Sequence, residues 1–195
     1  LIQFIAPDFF GNPATNNYWG IWNYGEFVGY IGILPLFFAF YSVFFRKDKK
    51  TLFFRFVAFL CFLFLLPTPF AQLPYQLHIP FIATSQPTRI LSIVTVCLAI
   101  LASLGLDLWI KEKNGKKTMS ILLLLAIPLC VGWLFTVYPR LFSSPVLPEQ
   151  VLVTKRNLLL PTILFLVSSL GLMIFIGKKK IQTNLVLFFI IGITV

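Results

Sequence analysis

Charge is missing from long stretches of this chain and crowded into short ones. Nineteen residues, Phe27 to Phe45, pass without a charged side chain before Arg46-Lys-Asp-Lys-Lys50 supplies five in a row. The same alternation recurs around the basic turns at 111–117 and 178–180. An uncharged apolar run of about 20 residues is what an α-helix needs to cross a bilayer core. Lipid offers no partner for backbone N–H and C=O groups, so such runs must satisfy their hydrogen bonds internally. The pattern therefore predicts an all-α, polytopic transmembrane helix bundle.

Composition agrees. With 58% hydrophobic residues, 11% charged residues and a mean hydropathy of +0.91, 195 residues carry more apolar surface than one water-soluble core can bury. About six spans are expected, at 27–45, 51–70, 90–110, 118–138, 158–177 and a truncated 185–195, in one domain covering 1–195. External loops are expected at 1–26, 71–89 and 139–157. Gly29 and Gly32 would admit a close neighbouring helix, and Pro35 would kink the first span. Pro69, Pro74, Pro80 and Pro87 forbid one long helix there, which predicts short interfacial or re-entrant segments. Ala99, Ala102, Ser103 and Gly105 give the third span a small-residue face. Leu1 in place of Met, and a final apolar run too short to cross, lead us to expect a fragment of a longer membrane protein.

Charge also predicts orientation. The turns at 46–50, 111–117 and 178–180, together with Arg55, hold twelve of the sixteen basic residues, and Arg89, Arg140, Lys155 and Arg156 hold the other four. The positive-inside rule then places the basic turns in the cytoplasm and the long loops outside an inner (plasma) membrane. This distribution accounts for the net charge of +10 without nucleic acid as a partner. Cys61, Cys97 and Cys130 all lie within apolar runs, which argues for small helix- or lipid-facing residues and against disulfides.

No phosphate-binding glycine loop, paired-cysteine spacing or His/Cys cluster is encoded, so neither a nucleotide site nor a zinc site is expected. No cofactor is identifiable, and a divalent metal is left open. The polar groups on the expected outer side are the remaining candidates. Glu26 stands where the opening loop enters the first span. It is either a carboxylate resting at the interface or one facing a water-filled cavity, where it could accept from sugar hydroxyls or pair with Arg89. Arg89 follows Ser85-Gln-Pro-Thr88 and is either an interfacial anchor or a guanidinium forked onto a lipid phosphate. Tyr24 and Trp22, with Tyr18 and Trp19, form either an aromatic belt or a stacking surface for a sugar. Asp8 is expected to cap its own turn and His78 to pack at the interface. Lys155 and Arg156 are expected to touch headgroups, and Asp107 to pair with Lys111 four residues on.

Several of these stretches resemble a known family. Pro-Asp-Phe-Phe-Gly at 7–11, Tyr-Trp-Gly at 18–20 and Asn-Tyr-Gly-Glu-Phe-Val-Gly-Tyr-Ile-Gly-Ile-Leu-Pro-Leu at 23–36 resemble the bacterial YfhO-type membrane proteins. So do Pro-Thr-Arg-Ile-Leu at 87–91 and Ala-Ser-Leu-Gly-Leu-Asp at 102–107. These proteins are similar to the polytopic glycosyltransferases of the C superfamily, and the likeness covers roughly residues 1–110. It implies transfer of a sugar from a polyprenyl-phosphate donor to an envelope glycan or polymer on the outer face. The partners implied are membrane lipids, the lipid-linked sugar and the acceptor polymer. Glu26 and Arg89 would lie in or near the carrier-facing cavity, with Tyr24 and Trp22 beside them. The catalytic carboxylate is expected upstream of residue 1, and Asp8, in a later loop, does not replace it. A transporter or flippase of lipid-linked sugars, or a non-catalytic scaffold for envelope synthesis, remains as the alternative.

Overall fold

The computed structural model describes residues 1–21, 23–80, 86–141 and 146–177. Among these residues there is no strand; six α-helices and five short 3-10 turns carry the fold. The opening residues form an irregular, hydrogen-bonded loop that continues to Gly32.

The first helix, α1 (Ile33–Phe45), begins later than expected. Gly32 sits at φ +95°, a conformation that only glycine adopts without strain, so residues 27–32 stay in the loop. Pro35 then falls in the first turn, where its missing N–H has no intrahelical acceptor to lose, and it does not kink a span. Thirteen residues rise only about 20 Å, short of a core of about 30 Å. Even so, α1 is the most enclosed helix: Leu34, Phe37, Phe38 and Tyr41 are buried against its neighbours.

Asp48 starts α2 (Lys49–Leu65) by accepting from the N–H groups of Lys50 and Thr51 at 3.1 and 3.2 Å. The second span expected at 51–70 is broken, because Pro67 and Pro69 cannot continue the backbone ladder. After a bend of 74° the chain resumes as α3 (Pro69–Gln76), capped by Thr68, whose hydroxyl accepts from the N–H of Ala71 at 3.3 Å. The expected external loop from 71 is thus partly helical. The short proline-bounded segment anticipated there is α3, with Pro74 inside it.

A 3-10 turn at Pro87–Ile90 runs into α4 (Leu91–Glu112). Lys113, at φ +42°, ends α4 in the left-handed region, and Asn114 caps α5 (Gly115–Val137) by accepting from the N–H of Lys117 at 3.1 Å. The buried indole N–H of Trp109 donates to the Thr118 hydroxyl at 2.9 Å and locks this hairpin.

The last described helix, α6 (Pro148–Gly177), corrects the expected loop at 139–157 and span at 158–177: it starts ten residues earlier and runs for thirty. Pro148 is preset for a first helical position, and the N–H of Leu147 donates to the Gln150 side chain at 3.0 Å. Thr154 and Leu158 are fully buried on one face, while Lys155 and Arg156 point to solvent. The two charges decorate the helix without ending it.

Three helices, α4 with its leading turn, α5 and α6, are long and apolar enough to cross a membrane; the bent pair α2–α3 makes up to four. Six crossings are not carried by the described residues, and the span at 185–195 and the turn at 178–180 lie outside them. Large apolar side chains line the outer faces, among them Phe53, Phe56 and Phe59 on α2 and Leu159, Ile163 and Leu166 on α6. So much exposed apolar surface suits lipid and not water.

The bundle has two distinct ends. The turns around 46–50 and 111–117 share one, which we term the basic end, since Arg46 donates to Asp107 at 2.9 Å. Gly115 lies against Ile176, which brings the last turn of α6 there too. The opening loop and the starts of α4 and α6 form the other, the loop end. Between them α1 and α4 pack most extensively. A Cβ on Gly105 would stand 1.8 Å from the carbonyl oxygen of Phe38, so only glycine permits this backbone approach.

Candidate functional site at the loop end

The loop end is built on the first turns of α6. The Thr154 hydroxyl, fully buried, donates to the carbonyl of Phe9 at 3.0 Å, and the Asn157 amide donates to the carbonyl of Asp8 at 2.7 Å. Residues three apart on a helix share a face, so these two side chains hold consecutive carbonyls of the opening loop. The loop closes on itself as well. Gly11, at φ +86°, turns the chain, and Asn12 N–H donates to the Asn17 side chain at 2.8 Å.

Aromatic packing finishes the loop. Trp19 stacks on Phe135 of α5 with ring centres 6.1 Å apart, while Phe9 and Phe10 contact Phe135 and Trp19 edgewise or tilted. These rings face protein, so Trp19 is a packing residue of the loop and not a free belt residue. Tyr18 and Tyr24 meet edge to face at 5.6 Å.

Asp8 is fully engaged. Its carboxylate accepts from the Tyr24 hydroxyl and from the Asn12 amide, the latter at 3.1 Å, and its carbonyl receives the N–H of Gly11. The sequence expectation that Asp8 shapes its own loop matches this geometry. Burial, reinforced by the hydrogen bond to Asp8 and by the carboxylate charge, pushes the Tyr24 phenol up to about 12. Beside this knot a cavity of about 190 Å³ is lined by the polar groups of Asp8, Tyr30, Arg156 and Asn157. Burial raises Tyr30 as well, opposed in part by a backbone hydrogen bond with Ile33.

Glu26 closes a 3-10 turn at Tyr24–Glu26 that the Asn23 side chain caps. One carboxylate oxygen of Glu26, Oε2, is buried and has no hydrogen-bond partner. Arg89 is exposed at the start of α4; its N–H donates to the carbonyl of Gln86 at 3.2 Å. The glycine at 29 packs on Phe4 and Leu91, which brings the loop after Glu26 onto the start of α4. Among the described residues, however, no ion pair joins Glu26 to Arg89. Trp22 lies outside the described residues. His78 is exposed in a left-handed turn, with Nδ1 3.0 Å from the carbonyl of Gln76.

Six buried side-chain polar atoms in the described residues lack partners, and four of them belong to this end: Trp19 Nε1, Glu26 Oε2, Gln86 Oε1 and Thr88 Oγ1. Buried polar groups are otherwise nearly always paired, so each of these is a place where a polar ligand or water would be stabilised. No group of three or more His, Cys, Asp or Glu side chains comes together among the described residues.

Tyr30, Thr154 and Asn157 were not singled out by sequence reasoning. The run Lys155-Arg156 made its surroundings read as loop. The usable signal was the spacing of Val151, Thr154, Leu158 and Pro161, which recurs at helical intervals through those charges. Comparison of the chain with family models, characterised proteins and solved structures gave no match.

Proposed function

We propose that this chain is part of an integral membrane glycosyltransferase-like protein that takes a sugar from a polyprenyl-phosphate donor and passes it to an envelope polymer. In this reading the loop end faces outside and the basic end the cytoplasm. The observation that carries it is the concentration of unpartnered polar atoms at the loop end, beside aromatic rings and the unpaired cations Arg89 and Arg156. Sugar hydroxyls both donate and accept, so they match an orphaned carboxylate oxygen, amide oxygen, hydroxyl and indole N–H. An arginine held without a protein carboxylate retains donors for a phosphate.

Glu26 has the role of orienting the sugar, Arg89 of contacting phosphate, and Tyr24 and Trp22 of bordering the ring. Asp8 holds the loop. The likeness of parts of 1–110 to YfhO-type proteins is the reason for proposing this reaction class, and the catalytic carboxylate is proposed to lie outside the residues present here.

The test is envelope-polymer mass spectrometry in a deletion strain complemented by the full-length gene carrying Glu26→Gln or Arg89→Ala. Each variant is expected to lower glycosylation at normal expression; full glycosylation by both overturns the site assignment. If purified full-length protein binds the carrier but transfers no sugar, the transport reading replaces this one. Orientation is checked with an impermeant maleimide on intact cells, which should label a cysteine at Ala14 and spare one at Lys116.

A further inference from the structure

A second cavity reaches from the opening residues Leu1, Phe4 and Ile5 towards the basic end. It has a volume of about 720 Å³ and opens between α1, α2, α4 and α5. Of the eighteen residues that line it, seventeen are apolar and one, Arg55, is charged. Its α2 wall runs from Leu52 to Phe62, ten steps along the helix that rise about 15 Å, half of a bilayer core of about 30 Å. The Phe4 and Phe62 rings meet at 5.6 Å and mark its loop-end limit. Arg55 stands near the opposite limit, towards the basic end.

The Arg55 guanidinium is only partly used. Nη2 donates to the carbonyl of Arg46 at 2.8 Å, while Nε is buried with no partner. No carboxylate within ion-pair distance neutralises Arg55 among the described residues. The adjoining turn brings Lys47, Lys49 and Lys50, none of which is ion-paired there either. A charge left half-satisfied at the mouth of an apolar groove is costly in lipid unless an anion covers it.

We propose that this groove is a binding site for an anionic phospholipid from the leaflet at the basic end. One acyl chain lies along α2 between Leu52 and Phe62, and the headgroup phosphate is held by Arg55. Depth, lining and charge each fit that occupant. The groove spans one leaflet, offers a chain no polar group below its mouth, and meets the phosphate with a guanidinium whose fork suits phosphate oxygens. Zwitterionic lipids would leave the lysines of the turn without complementary charge. This site is separate from the sugar-handling region, and its occupant differs from the polyprenyl carrier proposed for the opposite end.

Native mass spectrometry of the full-length protein tests it, with phosphatidylglycerol and phosphatidylcholine added in equal amounts. Phosphatidylglycerol should be retained about tenfold better, the effect of its net negative charge beside the lysines of the turn. Arg55→Gln, which removes a phosphate contact that both lipids make, should lower retention of each, and Arg55→Lys should keep part of it. Lys47→Gln with Lys49→Gln and Lys50→Gln should remove the preference. Val43→Trp, which fills the groove, should lower retention of both lipids. A photoactivatable acyl chain should cross-link to Phe59 and Leu124. Equal retention of the two lipids, unchanged retention of both by folded Arg55→Gln, or cross-linking of the Phe59 position to another protein segment in place of lipid would each overturn the proposal. None of these readouts depends on sugar transfer, so the groove and the proposed reaction stand or fall separately.

Discussion

At the basic end, every carboxylate is ion-paired. Arg46 bonds Asp48, Asp107 and the carbonyl of Leu104; Lys111 pairs with Asp107 at 2.8 Å and Lys117 with Glu112 at 2.7 Å. All four ion pairs among the described residues are there. At the loop end, Asp8, Glu26, Arg89, Arg140, Glu149, Lys155 and Arg156 form none, and side chains of α6 hold loop carbonyls instead. At the first, all three carboxylates are spent on joining α1, α2, α4 and α5, while Arg55, Lys47, Lys49 and Lys50 stay outside those pairs. The second fixes the backbone through neutral groups, and its ions form no ion pairs among the described residues. The two ends thus differ in what pins them: ion pairs at one, neutral hydrogen bonds to backbone carbonyls at the other.

The comparison can be broken most sharply at the α1–α4 contact that leads into the basic end. Gly105→Ala forces a Cβ onto the backbone of Phe38 and should cost about 3 kcal/mol, the upper part of the overpacking range. Gly177→Ala meets nothing within 4 Å and should leave stability unchanged or slightly raised. Thermal unfolding in detergent distinguishes the two; equal midpoints would mean that the backbone approach is not what fixes the basic end.

Next in size are the pins at the loop end. Thr154→Val and Asn157→Leu each remove one hydrogen bond to a loop carbonyl and should cost about 1–2 kcal/mol. Hydrogen exchange should speed up across residues 8–19 and stay unchanged across 104–118. Equal loosening of both ends would erase the distinction drawn between them.

The sequence reading reached the class of fold and one local contact in detail. Uncharged run lengths anticipated α4 and α5 closely, and the Asp107–Lys111 pair forms as the four-residue spacing requires. Gly105 was read as part of a small-residue face and proves to be where α1 and α4 touch. The misses share one cause. Hydropathy reports what a residue tolerates as solvent and says little of backbone state, so Gly32 delayed the start of the first helix and Lys155-Arg156 did not interrupt α6. The candidate site was legible only in part: Glu26 was visible as a lone acid at a junction, but its unpartnered oxygen depends on packing between segments far apart in sequence. Nothing local in Asn157 announces a partner at Asp8.

A smaller effect should appear in alkali at the loop end. Tyr24 is about 12 when folded and near 10 when unfolded. Its folded value is raised, so its contribution is fully present below about pH 10 and is lost as pH rises towards about 12. The opening loop should therefore loosen over that window, followed by its exchange rates, and Tyr24→Phe should remove this part of the pH dependence.

The smallest effect belongs to the basic end, in acid. The Arg46 guanidinium, then the Thr51 hydroxyl, hold Asp48 well below the usual carboxylate range. A depressed folded value means that the contribution is present above the unfolded value of about 3.9 and fades as pH falls below it. Asp48 is solvent-exposed, so water and salt screen most of that gain. Asn caps a helix about as well as Asp, so Asp48→Asn removes the charge and keeps the start of α2. Its unfolding midpoint should fall slightly below the parent at pH 7 in low salt, with the gap narrowing as pH drops below about 4 and as salt is added. A gap that persists in high salt would show that the basic end relies on Asp48 as a buried partner. The contrast with the neutral pins of the loop end would then be one of degree.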